Sequence, residues 1–351
     1  MDIMYNMPMK ILGIESSCDE TAAAVLKVSL EQQSCVLSNA VYSQTNEHLE
    51  YGGVVPEIAS RAHMERIEHI VKQSLQEAKI TLNDIDAIAV TQGPGLLGGL
   101  LVGTSFAKSL HLTTGKPLIG VNHLEGHALT AHLTENVEFP YLLLLVSGGH
   151  CQFIHVKALG HYETLGATID DSIGECFDKV AKMLGLPYPG GPNIEQQALK
   201  GDATAYDFPI SLRDGTVNFS FSGLKSAVRR QIQALGDNLN PQQIADISAS
   251  FQETVAKTLE VKTKKALQIS GSQDFVLAGG VAANKLLRSR LNSLCARKNV
   301  TFHAPPINLC TDNAVMIAYA GGLRLVSGVS PSSLTTLSAT PRWPLDELNL
   351  E

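Results

Sequence analysis

No stretch of the chain approaches 18 consecutive apolar residues, and the longest candidate, YLLLLV at Tyr141–Val146, is the length of a strand. No membrane contact is therefore expected. The opening MDIMYNMPMK has one late lysine and no apolar core, which fits neither a secretory leader nor an Arg-rich transit peptide. Cysteine is sparse and shows no C-x-x-C spacing: Cys18, Cys35, Cys151, Cys176, Cys295 and Cys310 read as free thiols of a reducing, cytoplasmic environment. No G-x-x-x-x-G-K-[ST] occurs, so the chain is not a P-loop protein. Positive charge is also short. A net charge of −7 argues against a protein that holds nucleic acid by a general positive field. A local basic face stays open on Lys225, Arg229, Arg230, Lys262, Lys264 and Lys265, whose plain reading is the solvated sides of two helices.

What is present belongs to a globular protein, with 44% apolar and 17% charged residues over 351 positions. That length is too great for one small core and favours two domains. Two segments look alike: KILGIESSCDETAAAVLKV from Lys10 and YLLLLVSGGHCQFIHVKA from Tyr141 each read as a hairpin of two apolar strands around a short turn. Two later segments, from Asp84 and from Gln273, each run strand, glycine loop, helix. The spacing differs between the pairs, which predicts a duplicated α/β unit whose second copy carries an insertion between His155 and Gln273, including an amphipathic helix from about Pro241 to Ser270. The expected division is a first lobe over 1–125, a second over 126–325, and a tail over 326–351. A ligand cleft is expected between the lobes.

NHLEGHALTAHL, Asn122 to Leu133, concentrates histidine. On a helix turning about 100° per residue, His123 and His127 fall on one side and both imidazoles reach one ion. Zincin proteases place a glutamate directly after the first histidine, whereas Glu125 stands two positions on and points away, so it cannot activate a metal-bound water. His132 is also off that face. Asp312, before the apolar run NAVMIAYAGG, offers a third ligand, with Cys310 and His303 as alternatives. Two histidines and one carboxylate suit Fe(II) or Zn(II). Their plain reading is a pair of packed or solvated helix histidines.

Glycines also recur after apolar strands, in TQGPGLLGG, SGGH and AGGVAAN, where backbone N–H groups can approach phosphate oxygens. Asp178, on the expected helix of GECFDKVAKMLG, is placed to accept hydrogen bonds from ribose hydroxyls. ESSCDET gathers Glu15, Asp19 and Glu20 on one turn.

Together, GIESSCDET, TQGPGLLGGLLVG, NHLEGHALTAHL, LLVSGGH, GECFDKVAKMLGLPYPGGP, FSFSGLKSAV, LAGGVAANKLLR and CTDNAVMIA resemble the tRNA N6-adenosine threonylcarbamoyltransferases, a family once described as O-sialoglycoprotein endopeptidases. The resemblance implies an α/β, duplicated two-lobe, actin-like fold of the Hsp70 and sugar-kinase kind. It implies transfer of threonylcarbamoyl from threonylcarbamoyl-AMP to N6 of the adenosine beside the anticodon of tRNAs that read codons starting with A. By similarity, His123, His127 and Asp312 hold one divalent ion, Fe(2+) or Zn(2+), and Leu145, Val146, Ser147, Gly148 and Gly149, with Asp178, Gly191 and Asn284, contact the adenylate. Archaeal and eukaryotic relatives carry a tyrosine ligand where this chain has Leu145. Asp19 or Glu15 is the expected acceptor of the amine proton. The implied partners are tRNA, a shorter inactive paralogue of the same fold and a small P-loop ATPase. The rival readings are a small-molecule kinase of this fold, a non-catalytic scaffold, and the metalloprotease that the place of Glu125 disfavours.

Overall fold

The computed structural model describes residues 7–348 except Arg213 and Asp237, so most of the segment on which the leader reading rests lies outside it. The chain forms two compact units. Unit 1 contains the residues up to Asn136, Leu159–His161 and the residues from Asp312 onward; unit 2 contains Val137–Ala158 and Tyr162–Thr311. The division differs from the sequence reading. The segment after Asp312 joins unit 1 because its helix carries an almost wholly apolar surface that packs on the first sheet.

In unit 1, β1 (Met9–Glu15), β2 (Glu20–Val28) and β3 (Cys35–Ser43) form an antiparallel meander. After a short helix α1 (Thr45–His48), helix α2 (Pro56–Glu77) leads to β4 (Ala87–Gly93), helix α3 (Leu97–Thr114), β5 (Leu118–Asn122) and helix α4 (His123–Glu135). The sheet order is β3-β2-β1-β4-β5, with β4 parallel to both β1 and β5. Strands buried on both faces read as continuous apolar runs, as in ILGI and AIAV. Leu12 and Ile14 join Ile67, Ile70 and Val71 of α2 and Ala107 of α3 on one face. The alternate residues Ile11 and Gly13 meet the unit's last helix, whose Gly322 and Ala318 leave room for them.

Unit 2 repeats the order. Strands β6 (Tyr141–Val146), β7 (Cys151–Ala158) and β8 (His161–Ala167) are followed by helices α5 (Ile173–Met183), α6 (Gly190–Ala198), α7 (Ser222–Leu235) and α8 (Pro241–Ser270). Then come β9 (Asp274–Ala278), α9 (Lys285–Lys298) and β10 (Thr301–His303), giving the sheet β10-β9-β6-β7-β8. Both expected hairpins and both strand, loop, helix segments are present. β8 is the counterpart of β3, so the added material is narrower than the sequence spacing implied and consists of α5, α6 and α7.

The bounds of α8 follow from its ends. The side chain of Asn240 accepts from Gln243 N while Gln243 reaches back to Asn240, Pro241 fills the first turn, and Gly271 leaves the helix at φ 66°. Phe153, Phe177, Phe219, Phe251 and Phe275 fill the core of this unit. Two of the candidate surface cations belong to its framework. The Lys262 ammonium is buried and donates to Leu212 O and Thr216 O at 2.6 and 2.8 Å, and Lys225 pairs with Asp171. Arg229, Arg230 and Lys264 remain exposed.

Helix α10 (Ala314–Val326) completes unit 1. The expected tail beyond it is fixed in part on the same unit: Ser332 N donates to Leu118 O at 2.7 Å, and Leu337 is wholly buried.

Candidate functional site

β5 runs directly into α4. Asn122 ends the strand and caps the helix, its Oδ1 accepting from Leu124 N at 2.9 Å. His123 and His127 therefore occupy the first and second turns on one face, with ring centroids 4.8 Å apart. Asp312 arrives from the start of α10, where Asn313 caps Met316 N at 3.1 Å. The two helices approach closely because Gly126 has no side chain: a Cβ there would stand 3.0 Å from Met316 Cγ and 3.1 Å from Ile317 Cδ1.

The result is a trio within unit 1. Asp312 Oδ1 lies 3.0 Å from His127 Nε2 and 3.4 Å from His123 Nε2. Among the described residues, these three form the one group of side chains whose ligand atoms all lie within 4.8 Å of one another. Bonds of about 2.0–2.2 Å to a tetrahedral or octahedral ion put neighbouring ligands roughly 3.0–3.5 Å apart, so the two distances from Asp312 fit a shared ion.

Glu15 completes the arrangement from behind. It is wholly buried, and its Oε2 sits 3.0 Å from His123 Nδ1 and accepts from Thr91 Oγ1 at 2.6 Å. Its Oε1 accepts from Ser17 N at 2.6 Å. A carboxylate holding the Nδ1–H of an imidazole fixes the tautomer that leaves Nε2 as the donor to a metal. Burial alone would raise the Asp312 and Glu15 carboxyls, but His123 outweighs it and lowers both, Asp312 well below the usual range with His127 assisting. The same contacts overcome burial at His123 and hold its imidazole well above its ordinary value.

The sequence reading paired Glu15 with Asp19 as candidate proton acceptors. In the structure the oxygens of Glu15 are taken up by His123, Thr91 and Ser17, the position of a support for a ligand. The signal that it is not a surface turn residue is its position as the last residue of β1. Asp19 lies half-buried on the β1–β2 turn, its backbone O accepting from Gln44 N at 2.9 Å. Beside it, burial and then Asp19 and Asp312 push the Glu20 carboxyl well above its ordinary value.

Glu125 faces the other way, as expected: it is buried against Arg324 of α10. His132 is bonded to Tyr319. His303 pairs with Asp274 at 2.7 Å, and Cys310 Sγ contacts Arg288 at 3.4 Å, so in the structure both alternative ligands are engaged within unit 2.

The adenylate candidates all lie in unit 2. Leu145 and Val146 are wholly buried, and Leu145 is paired with Gln152 on one side and Ala278 on the other. Their side chains offer nothing to a ligand. Ser147, Gly148 and Gly149 form the open turn, held by Ser147 N to His150 O at 2.7 Å, by Gly174 N to Ser147 O at 3.2 Å, and by Ser172 Oγ donating to Gly148 O. Nothing lies within 4 Å of a Cβ placed at Gly148, Gly149 or Gly191, the condition for close approach by a ligand. Asp178 Oδ1 accepts from Gly190 N at 2.7 Å. Asn284 is committed to the frame, with Oδ1 accepting from Leu287 N at 3.1 Å and Nδ2 donating to Gln252 Oε1 at 2.8 Å.

Two like-ordered five-stranded α/β sheets and a buried two-histidine, one-carboxylate trio define a duplicated α/β protein with a candidate metal centre. Solved structures carry the same fold: full-length HypF in a phosphate- and nucleotide-bound form at TM-score 0.60 and 15% identity over 93% of this chain, and T. kodakarensis HypF at 0.63 and 15% over 92%. The chain spans about half of those proteins, 48% and 49%. Residues 35–319 match the family described as TsaD: tRNA N6-adenosine threonylcarbamoyltransferase. Proteins of that name from Chelativorans sp. (strain BNC1) and Bartonella tribocorum are 52% and 54% identical, over 96% and 97% of this chain and 95% and 96% of their own length. The chain belongs to the tRNA N6-adenosine threonylcarbamoyltransferase family. It is accordingly a transferase that modifies tRNA.

Proposed function

We propose that the threonylcarbamoyl group is delivered as its mixed anhydride with AMP and passed to N6 of the adenosine beside the anticodon of tRNAs that read codons starting with A. The observation that carries this reading is the trio of His123, His127 and Asp312 with Glu15 behind it, a ligand set that has no duty in a small-molecule kinase or a scaffold. The protease reading would need a glutamate on the ligand face, and Glu125 is bound to Arg324 instead.

In this account the two units are the two actin-like lobes. The trio holds one divalent ion, Fe(2+) by preference or Zn(2+), which supplies Lewis-acid polarisation of the carbonyl and charge stabilisation for the departing phosphate. Glu15 keeps His123 Nδ1 protonated, and so keeps Nε2 available. Gly148 and Gly149 of the open turn offer backbone N–H groups to the phosphate, and Asp178 and Gly191 bind the nucleoside side of the adenylate. Leu145 and Val146 contribute by shaping that turn, and Asn284 by capping α9.

The chemistry needs little acid or base strength, because the carbonyl is already activated. N6 attacks the carbamoyl carbon, a C–N bond forms, the C–O bond to phosphate breaks, and AMP leaves with its electron pair. N6 gives up one proton, for which Asp19 is the assigned acceptor. Positioning supplies much of the acceleration. An acidic chain acting on a polyanion fits a cytoplasmic enzyme that works with partners, a shorter inactive paralogue of the same fold and a small P-loop ATPase.

The test is transfer of labelled threonylcarbamoyl from its adenylate to unmodified tRNA with those partners. Label on adenosine N6, with one AMP released per group transferred, is expected. ATP consumption with a small acceptor and no labelled tRNA would instead establish the kinase reading.

A further inference from the structure

The segment beyond α10 crosses the metal-site end of unit 1 and is stapled there through its backbone. Thr340 N donates to Gln92 O at 2.8 Å, Gly95 N donates to Pro341 O at 3.2 Å, and Asn122 Nδ2 donates to Trp343 O at 3.0 Å. The approach is close enough to require glycine: a Cβ on Gly93 would stand 1.9 Å from Thr340 O. Leu337 and Leu345 are buried on either side of this strap. Its bonds to Gly95 and Asn122 use main-chain carbonyls, and the side chains between them are left over. Pro341, Arg342 and Pro344 are exposed, and Trp343 is half-buried.

The third staple ties the strap to the chemistry. Asn122 is the residue whose Oδ1 caps α4, and His123 follows it directly, so Trp343 stands one hydrogen bond from the cap of the metal helix. Close to that helix Glu15, Asp19 and Asp312 bring negative charge, in a chain of net charge −7. A polyanion approaching this end needs a local cation, and an unstacked base needs a flat apolar surface. Arg342 and Trp343 are adjacent and held on a backbone already fixed before any ligand arrives.

We propose that Arg342 and Trp343 contact the acceptor tRNA, the indole stacking on a base next to the target adenosine and the guanidinium meeting the phosphate backbone. This rests on the tRNA reading above. Stacking on an aromatic side chain beside a cation is the combination by which single-stranded RNA is held with little demand on sequence.

Trp343 is the chain's single tryptophan, so intrinsic indole fluorescence reports on it alone. Adding an unmodified anticodon stem-loop to the full chain loaded with metal, at low salt, is expected to quench or shift the Trp343 emission along a saturating curve. Trp343→Ala is expected to raise the KM for tRNA about tenfold while Trp343→Phe recovers most of the loss, with metal affinity unchanged in both. Arg342→Gln is expected to lower the slope of log affinity on log salt by about 1. Bound stem-loop that leaves the emission unchanged, with an unaltered KM in Trp343→Ala, would overturn the proposal. So would an emission change that follows addition of a protein partner and not RNA. The fluorescence is read without turnover, so quenching by the stem-loop in a chain that transfers nothing even with its partners present would support the contact while sinking the proposed reaction.

Discussion

Glu15 shows how a residue's role depends on partners that the sequence leaves invisible. ESSCDET presents three carboxylates, Glu15, Asp19 and Glu20, on a turn, yet in the fold Glu15 is sealed in while Asp19 stays half-buried. Replacing Glu15 by Gln keeps the shape and removes the charge that holds His123. Metal affinity is expected to fall about 10- to 100-fold, the usual effect of losing an outer-shell carboxylate, with the circular dichroism spectrum retained. Metal affinity equal to wild type would show that His123 needs no such support.

Asp171 carries a pH prediction away from the metal. Burial alone would raise its carboxyl, but hydrogen bonds and charge from Lys225 and Lys179 outweigh it and lower it. A carboxyl lowered by folding contributes stability above its unfolded pKa, and that contribution is lost as pH falls through the folded value. Asp171→Asn is therefore expected to cost about 1–3 kcal/mol at pH 7, measured by urea unfolding, with the difference shrinking in acid. An equal deficit at both pH values would place the loss in packing.

At the scale of elements, the meeting of α4 and α10 decides whether a metal centre can form, since α4 carries both histidines and Asp312 stands just before α10. Gly126 permits the approach, and the buried pair of Glu125 and Arg324, with Arg324 Nη1 donating to Gly120 O at 3.1 Å, fixes it. Removing one member leaves a buried charge uncompensated. Arg324→Met is expected to cost about 3–5 kcal/mol, and the double variant Arg324→Met, Glu125→Leu to recover much of that loss. Thermal unfolding of the two single variants and the double variant checks this. A double variant as unstable as the sum of the singles would mean that the two residues act independently.

The same scale shows what was legible. His123 and His127 were readable because helical period places them together whatever else the fold does, and the off-face position of Glu125 followed from the same angle. Its partner Arg324 was not readable, because pairing across two helices far apart in sequence depends on how they pack. Lys262 looked like a surface charge, yet the apolar stripe of α8 turns it inward onto two carbonyls.

For the whole molecule, the duplication was legible because a hairpin followed by a strand, glycine loop and helix leaves its pattern twice. Lobe boundaries were not, since a chain that returns to its first sheet through α10 gives no local sign of doing so. The strap was equally silent: residues 338–344 have no strand or helix period and are fixed by a few hydrogen bonds to Gln92, Gly95 and Asn122. The proposed transfer depends above all on His123, His127 and Asp312 holding an ion.

The direct measurement is metal content and threonylcarbamoyl transfer in the same preparations of wild type, His127→Ala and Asp312→Ala, each checked for an intact fold by circular dichroism. About one divalent ion per wild-type chain is expected and, in both variants, loss of the ion together with loss of labelled tRNA. Variants that lack the ion and still transfer at the wild-type rate would contradict that dependence.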